Sequence, residues 1–215
     1  MSLHCFLNVF IFSAILQTAA PAGLSWDFSA DPLSTLPKGW EARGKSARPV
    51  YEVKADADGN RYLAAQSDRS DVQLGVNIQG EARDFPILSW KWRVHEFPAG
   101  ADERKVKTMD SAASVYAVFG SRIFPRILKY VWSSSVPAGT QFQHPDSGRM
   151  VIIVVHTGSL SGQWQYVRRD LASDFKMAFG SDRPPGLIAI GVKTDSDSTR
   201  SAAQADYDDI RLTRR

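Results

Sequence analysis

The sequence predicts an all-β fold, a two-sheet antiparallel β-sandwich of jelly-roll type with one short amphipathic crossover helix. Three observations lead there. Short apolar or alternating runs recur along the chain with Gly, Pro, Asn and Asp between them, the pattern of many short strands. Only one stretch has helical spacing, and no repeat period is present. About ten strands and one helix in a chain of 215 residues fill two packed layers and leave no room for a second large domain.

The first element is a leader. Residues 1–22 contain no Lys, Arg, Asp or Glu, and an apolar run from Cys5 to Leu16 is followed by Ala19, Ala20 and Ala22 around Pro21. This reads as a secretory signal peptide, although the positive n-region is missing. The alternative, an uncleaved anchor, has an apolar run short of the roughly 20 residues that span a bilayer. Cys5 is the one cysteine, so the mature chain, expected as a single domain over 23–215, forms no disulfide and is periplasmic or secreted.

Strands are then expected at 51–55 and 61–66, where Asp58-Gly59-Asn60 between them supplies a hairpin turn because these residues tolerate positive φ. Further strands fall at 74–78, 87–94, 114–119, 127–133, 150–156, 163–167, 187–194 and 205–212. The helix is expected at about 167–179, where Val167, Leu171, Phe175 and Phe179 recur every four positions before Gly180. Strand parity places Leu88, Trp90, Trp92 and Val94 in the core, with Ser89, Lys91 and Arg93 opposite. It likewise buries Ala113, Val115, Ala117 and Phe119, turns Ser114 and Tyr116 outward, and assigns Lys129 and Ser133 to a polar set.

Charge and motifs exclude several functions. With 26 Lys+Arg against 23 Asp+Glu the net charge is +3, which together with export excludes a nucleic-acid partner despite a pI of about 9.0. Phosphate-binding loops, His-Glu-x-x-His and Gly-x-Ser-x-Gly are absent, and His95, His144 and His156 are scattered without a mature cysteine, which argues against zinc. No membrane partner is expected once the leader is removed.

Three polar constellations remain. Asp102-Glu103-Arg104 with Asp110 forms a charged loop that either is simply solvated or supplies paired carboxylates for acid and base work on a glycosidic bond. Asp195-Ser196-Asp197-Ser198-Thr199 follows a strong strand and either satisfies its own backbone or holds a cation or sugar hydroxyls. The outward set Lys91, Arg93, Tyr116 and Lys129, joined by Gln163, Gln165 and Lys193, makes a cationic platform for a carboxylated or phosphorylated glycan if these share one face, and a solvated face otherwise.

The blocks Leu88-Ser89-Trp90-Lys91-Trp92-Arg93-Val94, Asp110-Ser111-Ala112-Ala113, Lys129-Tyr130-Val131-Trp132-Ser133-Ser134, Arg168-Arg169-Asp170 with Asp174 and Phe179-Gly180, Thr194 to Thr199, and Tyr207-Asp208-Asp209-Ile210 resemble a family of bacterial exported proteins, domain of unknown function 3047. That resemblance implies no activity and no catalytic residues. The closing strand Tyr207 to Leu212 is similar, more loosely, to the jelly-roll carbohydrate-binding modules. Their pattern implies one cofactor, a structural calcium held by Asp27 and Asp209, against pairing of these two with Lys or Arg or with backbone amides. The expectation is an exported, non-catalytic protein that binds a polysaccharide or cell-envelope glycan through Lys91, Arg93, Tyr116, Lys129, Asp195 and Asp197. The alternatives are a hydrolase or lyase using Asp102, Glu103 or Asp110, and a structural envelope protein with an unknown protein partner.

Overall fold

A computed structural model of the chain describes residues 23–46, 49–158 and 162–214; the expected leader lies outside them. The described residues form, in order, β1 (Gly23–Trp26), β2 (Glu41–Lys45), β3 (Tyr51–Ala55), β4 (Arg61–Asp68), β5 (Asp71–Asn77), β6 (Ile87–Glu96), β7 (Ala113–Gly120), β8 (Pro125–Ser133), β9 (Gln141–His144), β10 (Ser147–Thr157), β11 (Gln165–Asp170), α1 (Leu171–Phe179), β12 (Leu187–Lys193) and β13 (Ala202–Thr213). One sheet runs β11-β6-β13-β4-β3, with β1 also on β13; the larger runs β2-β5-β12-β7-β8-β10-β9. Every pairing is antiparallel except that of β8 with β10. The fold is the expected jelly-roll-type sandwich.

Between the sheets, period-two patterning delivers the aromatic core. Trp90 and Trp92 are fully buried and meet Tyr130 and Trp132 of the opposite sheet at ring-centroid distances of 5.4 and 5.9 Å. Such pairs contribute beyond their buried area. Two tyrosine hydroxyls also stitch the layers. Tyr207 Oη donates to the Lys193 carbonyl at 2.9 Å and accepts the Ser114 N–H, while Tyr51 Oη donates to the Val72 carbonyl at 2.6 Å and accepts the Thr194 N–H.

The helix begins at Leu171 and not at 167, because Val167 belongs to β11, where it pairs with Trp90. A four-residue spacing also satisfies strand parity, so Val167 fits both patterns. Asp170 caps the helix by accepting the N–H groups of Ala172 and Ser173, and Gly180 closes it at φ 70°. Asp174 docks it, accepting the Tyr130 hydroxyl at 2.8 Å and both arms of Arg169. Three strands were not expected. β2 and β9 are edge strands with polar sequences, as edges require, and β1 has only four residues.

Candidate functional site

The register of three neighbouring strands builds a polar site on the outer face of the larger sheet. Lys193 of β12 lies beside Ser114 of β7, and one pair along Gly191 lies beside Tyr116, which in turn faces Lys129 of β8. Ser114 and Tyr116 point away from the core as expected, yet both are buried, as is Lys129 at 2% exposure. The Lys129 ammonium stands 5.7 Å from the centre of the Tyr116 ring and has no hydrogen bond or ion pair among the described residues. Lys193, by contrast, contacts Asp71 at 2.5 Å and Asp195 at 2.7 Å. Burial pulls the Lys193 pKa down, but Tyr116, Asp195 and Asp71 more than offset this and keep it protonated.

Asp195 carries the opposite tension. Burial pushes its carboxyl up to about 6 although Lys193 and Lys129 pull it down, and its Oδ1 has no hydrogen-bond partner. Ser114 Oγ is also buried and unpartnered. The fields of Lys129 and Lys193 reach His144 of β9, whose pKa is lowered by burial first and by these two cations second. Asp110 accepts the N–H groups of Ser198 and Thr199 and the Thr199 hydroxyl, which fixes the loop that carries Asp195 and Asp197. One carboxylate oxygen from each of Asp110, Asp195 and Asp197 lies within 4.8 Å of the others.

A groove of about 260 Å³ lies further along the same face, lined by the next residues of these strands and not by Tyr116, Lys129 or Asp195. Gly75 and Gly191 form its floor, and Arg43, Asn77, Arg122 and Ile127 stand among its walls. A Cβ on Gly191 would come within 2.7 Å of the Gln73 side-chain amide, so glycine there lets Gln73 lie across the strand.

Of the residues singled out in the sequence, Tyr116, Lys129 and Asp195 therefore meet, with Asp197 and Asp110 at the rim. Lys91 and Arg93 do not. They belong to β6 in the other sheet, so the same outward parity points them to the opposite side of the molecule. Both are also engaged there. Lys91 contacts Asp209 at 2.6 Å, and Arg93 contacts Asp206 and Asp56 while stacking 4.6 Å from the Tyr62 ring and 4.4 Å from that of Trp164. A single platform joining Lys91 and Arg93 to Tyr116 and Lys129 does not exist.

The acidic loop is not solvated either, since Asp102, Glu103 and Asp110 are all buried. Arg104, with Lys105, holds Asp102 well below the usual carboxylate range. Glu103 accepts the Ser133 hydroxyl at 2.6 Å. Asp27 and Asp209 are neighbours, because Trp26 pairs with Ile210. Each has local partners, however: Ser29 for Asp27, and Lys91 and Arg211 for Asp209. Sequence reasoning missed His144, whose strand has no apolar alternation, and Asp71, which reaches the site only through the pairing of β5 with β12.

Fold and site together define a jelly-roll-type sandwich with a polar, incompletely satisfied cluster on one sheet face. The profile of the family described as protein of unknown function (DUF3047) matches residues 38–211, and the chain belongs to that family. No curated protein matches it in sequence. Among solved structures it is similar to the family 11 carbohydrate-binding module of a cellulosomal cellulase from Clostridium thermocellum (10% identity, 92% of this chain and 97% of that one, TM-score 0.47). It is also similar to a cleaved adhesin domain of Lys-gingipain from Porphyromonas gingivalis (14%, 90% and 98%, 0.44) and to the xyloglucanase domain of a type three effector from Sinorhizobium fredii (12%, 81% and 92%, 0.46). Likenesses at these scores carry no inference about what this chain binds. Among the described residues no helix is long and apolar enough to cross a membrane.

Proposed function

We propose that the protein is exported and binds a glycan bearing carboxylate or phosphate groups on the outer face of the larger sheet, around Tyr116, Lys129 and Asp195. One observation carries the reading: the Lys129 ammonium, on a side chain that is otherwise buried, stands beside the Tyr116 ring with no counter-ion in contact among the described residues, next to the buried and unpartnered Asp195 Oδ1 and Ser114 Oγ. Buried polar groups left without partners are costly and call for an explanation. A carboxylate or phosphate on the outer face supplies the counter-ion that Lys129 lacks. Export is supported by the leader-like composition of residues 1–22.

Binding is favoured over glycosidic hydrolysis because Asp102 is paired with two cations, Asp110 is engaged by its own loop, and Glu103 is fully buried, with one oxygen on Ser133 and Oε1 without a partner. The test is calorimetric titration with acidic and neutral oligosaccharides. Lys129→Met should weaken binding of the acidic sugar by about tenfold or more, the worth of one charge-assisted contact, while Arg93→Ala, on the other sheet, should leave it unchanged. Unaltered affinity in Lys129→Met overturns the proposal.

A further inference from the structure

The turn between β7 and β8 carries the two most exposed large apolar side chains among the described residues, Ile123 at 76% and Phe124 at 66%. Three exposed arginines surround them. Arg122 reaches Asn77 Oδ1 at 3.4 Å, Arg126 lies 5.0 Å from the Phe179 ring, and Arg149 lies 4.8 Å from the Phe124 ring and donates to the Ile123 carbonyl. Among the described residues none of the three pairs with a carboxylate; the exposed Arg43, Arg69, Arg104, Arg211 and Arg214 each do, while Arg83, Arg168, Arg183 and Arg200 do not, so what marks the three is their gathering beside the apolar tip. The molecule thus gathers uncompensated cations around an apolar tip.

We propose that this tip docks on an anionic phospholipid surface, Ile123 and Phe124 entering the interface and Arg122, Arg126 and Arg149 meeting phosphates. A two-residue tip is too small for a stable protein interface, which buries about 800 Å² on each partner. A second copy would also bring like-charged arginines together. A bilayer surface has neither difficulty: it takes up small apolar protrusions, and its anionic charge complements the cations. This differs from the expectation of no membrane partner, and the difference comes from a three-dimensional cluster that joins Arg149 to a turn more than twenty residues away in sequence. Because Arg122 also lines the groove, docking would set that end of the groove at headgroup level. The inference does not rest on the glycan reading.

The test uses the full chain and vesicles of phosphatidylcholine, with and without about one-third phosphatidylglycerol. Ile123→Ser/Phe124→Ser should lower partitioning onto the anionic vesicles by about tenfold or more, from the lost apolar burial. Arg122→Gln/Arg126→Gln/Arg149→Gln should lower it by about fivefold per arginine and remove most of its salt dependence. Residues 1–22 are common to every protein compared, so the differences report the tip. Hydrogen exchange should slow at 120–126 when anionic vesicles are added. Unchanged partitioning of both variants, or no protection at 120–126, overturns the proposal. Concentration-dependent self-association without lipid, lost in the serine variant, overturns it in favour of a second copy.

Discussion

Replacing Lys129 with Met separates a functional charge from a structural one. The side chain is 2% exposed, its ammonium has an aromatic face but no anion in contact, and Asp195, whose field it feels, touches Lys193 instead. Replacing a buried ion pair by apolar side chains of similar volume is commonly neutral or stabilising by about 1–4 kcal/mol; Lys129 has no ion in contact to be stranded, so that range bounds its replacement from above. The lost cation–π contact takes back about 1 kcal/mol. Lys129→Met should therefore be up to about 3 kcal/mol more stable in urea, each kcal/mol raising the melting midpoint by about 2–4 °C at this size, while losing the acidic ligand. Lys193→Met is the contrast, because it strands Asp195 in the interior and should cost about 3–5 kcal/mol. If Lys129→Met instead loses more than about 1 kcal/mol, Lys129 is a compensated structural ion and the reasoning fails.

Three further outcomes follow from the same geometry. Burial raises Asp195 to about 6 from 3.8, so its contribution to stability is complete below pH 3.8 and is lost as pH rises through 6; Asp195→Asn should flatten that part of the urea-stability profile, worth about 3 kcal/mol. His156 behaves oppositely: burial lowers its pKa, and its Nδ1 accepts the Trp92 indole N–H at 3.0 Å, so stability should fall as pH drops below 6.5, and melting curves of His156→Gln should lack this component. Asp174→Ala leaves the Tyr130 hydroxyl and Arg169 without their shared partner and should cost about 3 kcal/mol in urea unfolding, with the helix loosening first by hydrogen exchange.

The fold was legible because its core strands are patterned at period two. Trp90 and Trp92 fall on the buried side of β6, and Val115 and Ala117 on that of β7, so parity alone sorts core from outer face. What parity cannot supply is the sheet to which each strand belongs. Lys91 and Arg93 share an outward phase with Tyr116 and Lys129, yet hydrogen bonding assigns β6 to one layer and β7 and β8 to the other. The helix boundary failed for a related reason, a spacing common to strand and helix at Val167. The edge strands β2 and β9 carry no apolar signal, and with β9 went His144. The loop acids were visible as residue types, but their burial depends on contacts such as Ser133 with Glu103 and Thr199 with Asp110, thirty and eighty-nine residues apart in the chain.

The most direct test of the central claim is a nitrogen-15 NMR titration of the protein with an acidic oligosaccharide. Ligand-dependent shifts should concentrate at Gly75, Ser114, Tyr116, Gly191 and Asp195, on the outer face of the larger sheet. Shifts centred on Arg93, Trp164 and Tyr166 of the other sheet, or none at saturating sugar, would contradict it.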